Sequence, residues 1–91
     1  NKLTANNYPN PFNPTTNIAF NMPTNGHASV KIYNAKGQLV NTLFNGALEA
    51  GQKTITWTGT DNNNTKVGSG VYFYKVEANG QSVMKKMLLM K

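Results

Sequence analysis

The chain has 91 residues, no cysteine and a net charge of +6 at pH 7, which predicts one domain with a modest core and excludes disulfides and thiolate chemistry. All nine positive side chains are scattered lysines, a pattern that favours solvating side chains over the alternative of a polyanion-binding face. Because nucleic-acid recognition favours the planar fork of arginine, we expect no nucleic-acid partner. No apolar run approaches the roughly 20 residues of a membrane helix, so we expect no membrane insertion.

The first predicted element is a proline-rich segment. Residues 8–14, YPNPFNP, place three prolines in seven positions. Proline has no N–H for a sheet ladder and biases the preceding residue toward extended geometry. We therefore predict that residues 1–15 form an extended, unpaired leading segment with Tyr8 and Phe12 packed against the fold. Residues 2–7 within it are a candidate strand.

A strand and a hairpin follow. TNIAFNM at 16–22 alternates apolar and polar residues, the period of a half-buried strand. ASVKIY at 28–33 and QLVNTLF at 38–44 are joined by NAKG, whose first Asn and last Gly suit a type I turn closed by a glycine with positive φ. The adjacent apolar residues Leu39 and Val40 indicate either a bulge or a strand buried on both faces.

The middle of the chain predicts a connection, a strand and a long loop. NGALEAG at 45–51 is predicted to be a connection, and QKTITWT at 52–58 an alternating strand with Ile55 and Trp57 facing inward. GTDNNNTKVGSG at 59–70 has the composition of a loop.

The last part of the chain predicts a second hairpin. VYFYKVEA at 71–78 has the clearest strand pattern, and the Asn79–Gly80 pair is a strong two-residue hairpin signal. The last strand, 81–91, ends in the apolar KKMLLMK, whose lysines protect it from aggregation and which we expect to pair with 71–78. Six strands, or seven with residues 2–7, separated by turns predict an all-β sandwich.

Few side chains are suited to catalysis or metal binding. Glu49, Asp61 and Glu77 form no evident carboxylate pair, and His27 has no nearby partner for a triad or a metal site. We therefore expect no enzyme activity, no cofactor and no metal. DNNNT at 61–65 has oxygen side chains at alternate positions, but calcium loops normally carry several carboxylates. A polar Asx-type turn is favoured, and a bound cation stays open.

Three aromatic residues allow two interpretations. Trp57, Tyr72 and Tyr74 would suit a stacking platform for sugars, as in a carbohydrate-binding or adhesive module. Alternatively, Trp57 is the central core residue and one tyrosine packs beside it with its hydroxyl at the rim. The second interpretation is favoured because so small a core could not readily replace its one tryptophan.

Five motifs in a fixed order resemble a known family. YPNPFNP, VKIYNAKGQLV, ALEAGQKTITWTGTDNN, VGSGVYFYKV and KKMLLMK together resemble the type A C-terminal sorting domain of the type IX secretion system. That domain is similar to the immunoglobulin-like domain of the flagellar hook-capping protein. The resemblance covers residues 8–91 and implies an immunoglobulin-like antiparallel β-sandwich of six to seven strands, forming a single domain over residues 1–91. WTGTD departs from the Trp-Asp-Gly common in the family, which leaves the local turn contacts in question.

The resemblance also implies a function. Such domains are non-catalytic sorting signals in Bacteroidetes-like bacteria that follow an upstream cargo protein. Outer-membrane secretion machinery recognises them in the periplasm, a C-terminal signal peptidase usually removes them, and the cargo is secreted or held at the cell surface. A carbohydrate-binding or adhesive accessory module of an extracellular enzyme, and a structural Ig-like spacer, are the alternatives. The recognition residues that the family implies by position are Ser69, Gly70, Tyr72, Lys85, Lys86, Met87, Leu88, Leu89, Met90 and Lys91.

Overall fold

A computed structural model describes residues 2–91, and its regular elements are strands. They are β1 (Ala5–Tyr8), β2 (Thr16–Met22), β3 (Gly26–Asn34), β4 (Leu39–Leu48), β5 (Gly51–Trp57), β6 (Gly70–Ala78) and β7 (Gln81–Leu89). Residues 2–91 contain no helix of the length and apolarity that crossing a membrane requires. The predicted all-β class is confirmed, and the candidate strand within residues 2–7 is present as β1.

The strands form two sheets that face each other across one core. One sheet has the order β1-β2-β5 and the other the order β4-β3-β6-β7. All neighbouring strands are antiparallel. The predicted immunoglobulin-like sandwich is therefore confirmed, with β7 at one edge of the four-stranded sheet.

The core is built from the alternation seen in the sequence. Successive side chains of a strand point to opposite faces, so apolar residues at every second position give each strand one buried side. Burying this surface is the main favourable term in folding. The buried apolar residues are Leu3, Ala5, Phe12, Ile18, Phe20, Met22, Ala28, Val30, Ile32, Trp57, Tyr72, Tyr74, Val76, Ala78, Met87 and Leu89.

The hairpin between β3 and β4 has the predicted turn. The N–H of Gly37 donates to the carbonyl of Asn34 at 2.9 Å, and Gly37 has a φ of +82°. Glycine adopts such a φ without the clash that a Cβ would cause. Two register shifts in the β3–β4 ladder leave Val40 and Leu43 without direct partners. Of the two alternatives for Leu39–Val40, the bulge is therefore the one observed.

The prediction of a connection at 45–51 is wrong. β4 continues through Leu48 and β5 begins at Gly51. Gly and Ala disfavour strands, but here residues 45–48 pair with the start of β3 at Gly26 and supply its ladder. The short link that remains is held by the side chain of Asn25, whose Oδ1 accepts a hydrogen bond from the N–H of Ala50 at 2.7 Å.

Two expectations for the proline-rich segment are also wrong. Tyr8 is not packed against the fold but 80% exposed, because its backbone ends β1 with the side chain outside. The segment is not unpaired, since Phe12 forms a parallel bridge with Leu89. Phe12 follows Pro11 but has its own N–H and carbonyl, and both groups form hydrogen bonds to the end of the chain near Leu89. The other half of the expectation is confirmed: the Phe12 side chain is buried.

Candidate recognition site at the end of the C-terminal strand

The ten residues implied by the family resemblance lie along β7 from its midpoint at Lys85 to just beyond its end, and around the start of β6. β6 and β7 are antiparallel, so the start of β6 lies beside the end of β7, with Gly70 opposite Leu89 and Tyr72 opposite Met87. The hydroxyl of Ser69 accepts a hydrogen bond from the N–H of Lys91 at 3.1 Å. We call this group of ten residues the C-terminal corner.

The proline-rich segment binds the outer edge of β7 at this corner. The N–H of Phe12 donates to the Leu88 carbonyl at 3.0 Å, and the Met90 N–H donates to the Phe12 carbonyl at 2.9 Å. The Asn10 side chain accepts from the Leu88 N–H at 3.1 Å and donates to the Lys86 carbonyl at 3.5 Å. An edge strand otherwise presents unpaired backbone groups to other chains, and here the segment occupies them at the end of β7.

A cluster of buried aromatic rings lies beneath the corner. The Trp57 ring centroid is 5.6 Å from that of Phe12 and 5.3 Å from that of Tyr72, the latter with an edge-to-face geometry. The indole Nε1 donates to the Thr60 carbonyl at 2.8 Å, and the Tyr72 hydroxyl donates to the Gly68 carbonyl at 2.7 Å. Both polar tips are therefore satisfied at the rim of the core, as buried Trp and Tyr require.

The sugar-platform interpretation does not fit these aromatic positions. Trp57 is 1% exposed and Tyr74 0%, so neither ring face is open to a ligand. Burial raises the pKa of the Tyr72 and Tyr74 hydroxyls above its ordinary value, because the phenolate is poorly solvated there. The interpretation of Trp57 as a central core residue with Tyr72 beside it is confirmed.

Only part of the C-terminal corner is accessible. Met87 and Leu89 point into the core and are buried, whereas Leu88 is 37% and Met90 52% exposed. This follows from the two-residue period of the strand. The lysines of the corner, Lys85, Lys86 and Lys91, are exposed.

Gly70 has a backbone conformation that favours glycine. Its φ is +146°, a value that residues with a side chain rarely adopt. An added Cβ would meet no atom within 4 Å. The backbone conformation, rather than lack of space, is therefore what favours glycine where the loop enters β6.

The loop at 61–65 is held by Asp61. Its Oδ1 accepts hydrogen bonds from the N–H groups of Asn63 and Thr65, each at 2.9 Å, which confirms the predicted Asx-type turn. In the part of the chain that the structure describes, no group of three or more His, Cys, Asp or Glu side chains is placed to hold a metal ion.

The histidine and the two glutamates lie outside the C-terminal corner. His27 lies exposed near the start of β3, which begins at Gly26. Glu77 accepts from the Ser29 hydroxyl at 3.4 Å and forms an ion pair with Lys75 at 3.5 Å. Glu49 lies in the exposed link between β4 and β5.

Sequence reasoning missed the role of Asn10. Its amide supplies one donor and one acceptor, the same pair that a backbone residue would offer to β7. An Asn between two prolines, which have no N–H of their own, is the signal that could have pointed to it.

The fold and the matched sequence identify the family. The profile of the family described as "FlgD Ig-like domain" matches residues 5–82, most of the chain. The chain belongs to this family. None of the curated proteins matches the sequence.

Solved structures with the same fold come from two settings. FlgD from P. aeruginosa is 25% identical, with a TM-score of 0.60, and the match covers 81% of this chain and 59% of FlgD. Dimeric latent PorU from Porphyromonas gingivalis is 23% identical, with a TM-score of 0.75, and the match covers 96% of this chain and 9% of PorU. PorZ is an essential bacterial surface component of the type-IX secretion system of the same species. It is 23% identical, with a TM-score of 0.66, and the match covers 96% of this chain and 11% of PorZ.

These matches span only part of each relative. At 23% identity, PorU and PorZ establish a shared fold with this FlgD-type Ig-like domain and nothing of its activity. Because the chain spans about a tenth of PorU and PorZ, the roles of those whole proteins belong to much larger molecules.

Proposed function

We propose that this FlgD-type Ig-like domain is a non-catalytic, type A sorting domain. It directs an upstream cargo protein through the outer-membrane translocon of a type IX secretion system to the cell surface or the medium. Its partners are that secretion machinery, a C-terminal signal peptidase that removes the domain, and the cargo. It acts without a cofactor.

The observation that carries the proposal is the C-terminal corner. β7 is a regular strand whose inner side chains are fixed in the core, while Leu88, Met90 and the three corner lysines stay exposed. A receptor that must distinguish folded cargo from other proteins needs such a rigid, accessible surface, because ordering a flexible segment on binding would lower affinity. The lysines add attraction toward an acidic receptor surface.

Two further observations support the same role. The five motifs that resemble the sorting family occur in one order along residues 8–91. The fold is also that of a segment of PorZ, a surface component of the type-IX secretion system. A secreted or surface location is consistent with this likeness.

The two alternatives differ in how well the structure fits them. A structural Ig-like spacer is compatible with membership of the FlgD-type family. A carbohydrate-binding module would need another platform, because Trp57, Tyr72 and Tyr74 are buried.

Export of a reporter tests the proposal. Residues 1–91 are fused behind a signal peptide and a reporter in a bacterium with a type IX system, and the surface and secreted fractions are measured. The triple variant Lys85→Gln, Lys86→Gln and Lys91→Gln should fold normally, because all three side chains are exposed. We expect it to leave most of the reporter in the periplasm.

A matched variant controls for the loss of charge. Lys2→Gln, Lys36→Gln and Lys66→Gln remove three exposed lysines away from the corner and should be exported like the wild type. Deletion of residues 85–91 is a poorer test, since it removes the buried Met87 and Leu89. Wild-type export of the corner variant, checked for folding by Trp57 fluorescence, would refute recognition through the lysines. If the unaltered fusion is not exported at all, the spacer role is favoured.

A further inference from the structure

The outer face of the four-stranded sheet carries large apolar side chains and lysines. The ladder of β2 and β5 carries small and uncharged side chains on its outer face, and Tyr8 of β1, opposite Asn17, is the large exposed side chain there. Large exposed apolar side chains beside charges are typical of an interaction surface.

The ladder registers place these residues in two adjacent rows. In the first row Leu39, Tyr33, Phe73 and Lys86 are neighbours across β4, β3, β6 and β7. In the second row, Lys31, Lys75 and Met84 are neighbours across β3, β6 and β7. We call the surface formed by these seven residues the outer-sheet face. Glu77 is the one acidic residue within the four strands of this sheet.

A hollow opens between the two rows. It has a volume of about 350 Å³ and is lined by Tyr33, Phe73, Lys75 and Met84, and by the turn between β3 and β4. Tyr33 and Phe73 are half-buried, whereas Met84 is 55% exposed. These three side chains give the hollow an apolar lining that suits a side chain projecting from a partner.

Two lysines of the outer-sheet face are arranged at the expense of stability. Lys31 and Lys75 stand directly opposite each other in the β3–β6 ladder, and like charges in such a pair are destabilising. Glu77 offsets one of them through its ion pair with Lys75 at 3.5 Å. An anionic group of a ligand placed between the two ammonium groups would relieve the remaining repulsion.

We propose that the outer-sheet face is a docking surface for an acidic, extended segment of another protein. An aromatic or large aliphatic side chain of that segment fills the hollow, and flanking carboxylates pair with Lys31, Lys75 and Lys86. This surface adds Tyr33, Phe73 and Met84 to what a partner contacts, and it exists whether or not the domain directs export.

Charge and shape argue against two other occupants. A second copy of the chain, whose net charge is also +6, would bring further positive charge toward the same lysines. An anionic bilayer binds best where apolar side chains project beyond the surrounding charges. On this face the two aromatic rings, Tyr33 and Phe73, are half-buried instead.

Binding of short peptides to the isotope-labelled 91-residue domain tests the proposal. The probe is the acetylated and amidated pentapeptide Asp-Glu-Phe-Glu-Asp, and NMR chemical-shift changes report where it binds. We expect the largest changes at the amides of Tyr33, Phe73, Lys75 and Met84. A peptide with Ala in place of Phe should bind several-fold more weakly, and one with Lys in place of the acids should not bind.

Matched variants separate the site from general attraction to a basic protein. Lys31→Gln with Lys75→Gln should weaken binding about three- to tenfold, as expected for partly exposed ion pairs. Lys2→Gln with Lys66→Gln has the same net charge as that double variant and should leave the affinity at the wild-type value. Met84→Thr should weaken binding, whereas Tyr8→Thr, which removes an exposed aromatic elsewhere, should not.

Each other outcome overturns the proposal. No binding, or equal binding of the Phe and Ala peptides with shifts at all lysines, would leave only diffuse attraction. Sedimentation with vesicles of phosphatidylcholine and phosphatidylglycerol that is lost in Met84→Thr would assign the face to a membrane. Concentration-dependent shifts of the same amides without peptide would assign it to a second copy.

Discussion

Phe12 and Leu89 lie side by side as a parallel bridge that joins the proline-rich segment to the end of β7. The Phe12 backbone is hydrogen-bonded to Leu88 and Met90, while its ring contacts Trp57 in the core. Leu89 is fully buried beneath the same contact. One residue thus completes both the edge of the four-stranded sheet and the aromatic cluster, which makes the order of β7 depend on the segment at the other end of the chain.

Replacement of Phe12 by alanine tests this dependence. We expect Phe12→Ala to lower the free energy of unfolding by about 3–5 kcal/mol, because a large buried side chain is removed beside Trp57. Urea denaturation measures the loss. Tyr8→Ala, in the same segment but 80% exposed, should change stability by less than about 0.5 kcal/mol. Equal losses in both variants would contradict the structural role given to Phe12.

Asn10 offers a finer test of the same contact. Asn10→Ala removes two exposed hydrogen bonds to β7, and we expect a loss of about 1 kcal/mol in stability. Native-state hydrogen exchange should show faster exchange of the Leu88 amide. Asn10→Asp keeps the acceptor for that amide but loses the donor to Lys86, so the Leu88 amide should stay protected. If the Leu88 amide exchanged at the wild-type rate in both variants, the Asn10 side chain would not protect the edge of β7.

The part of the fold that follows from local pattern could be predicted from the sequence. Strict alternation in β2 and β6, the Asn79–Gly80 turn and the NAKG turn each encode their structure within a few residues. The family resemblance then supplied the arrangement of the strands, which periodicity alone does not determine.

The wrong predictions concern segments whose structure is determined by pairing with residues far away in the sequence. Residues 45–48 have weak strand propensity, and pairing with the start of β3 makes them a strand. The pairing of Phe12 with β7 depends on a residue near the other end of the chain. For the candidate site, the sequence predicted the β6–β7 hairpin, and the family resemblance supplied the ten site residues. The outer-sheet face was missed, because lysines in alternating strands resemble ordinary solvated positions.

Trp57 provides a check on the core. Trp57→Ala should lower the free energy of unfolding by about 3–5 kcal/mol, through loss of a buried ring and a cavity beside Phe12 and Tyr72. Before any mutation, the native protein should show blue-shifted fluorescence that acrylamide quenches poorly. A red-shifted, readily quenched emission would show an exposed indole and would restore the sugar-platform interpretation.

The Asp61 turn gives a test of cation binding. Asp61→Ala leaves two backbone N–H groups without their acceptor, and we expect a loss of about 1–2 kcal/mol in stability. Asp61→Asn retains Oδ1 and should lose less. Because Asp61 already accepts two backbone bonds and has no neighbouring carboxylate within 61–65, millimolar calcium should leave the Tm of the wild-type domain unchanged. A calcium-dependent rise in Tm that Asp61→Ala abolishes would reveal a cation site.

Tyr72 makes stability depend on pH in the alkaline range. Burial raises its pKa above the ordinary value of 10.0, so in the folded state the hydroxyl keeps its proton at a pH where the unfolded chain has begun to release it. The unfolded state then binds fewer protons, and stability falls as pH rises above 10. Below that pH the contribution is fully present.

Tyr72→Phe isolates this contribution. At pH 8 the variant should be less stable by about 0.5–1.5 kcal/mol, because the Gly68 carbonyl loses its donor. Above pH 10 the wild type loses stability through ionisation of Tyr72 in its unfolded state, and the variant has no such hydroxyl to ionise. The difference in free energy of unfolding between the two proteins should therefore become smaller from pH 8 to pH 10 and pH 11, as measured by urea titrations. Changes from lysine titration affect both proteins alike and cancel in this difference. A gap that stays constant over the series would mean that the Tyr72 hydroxyl is as well solvated in the folded domain as in the unfolded chain.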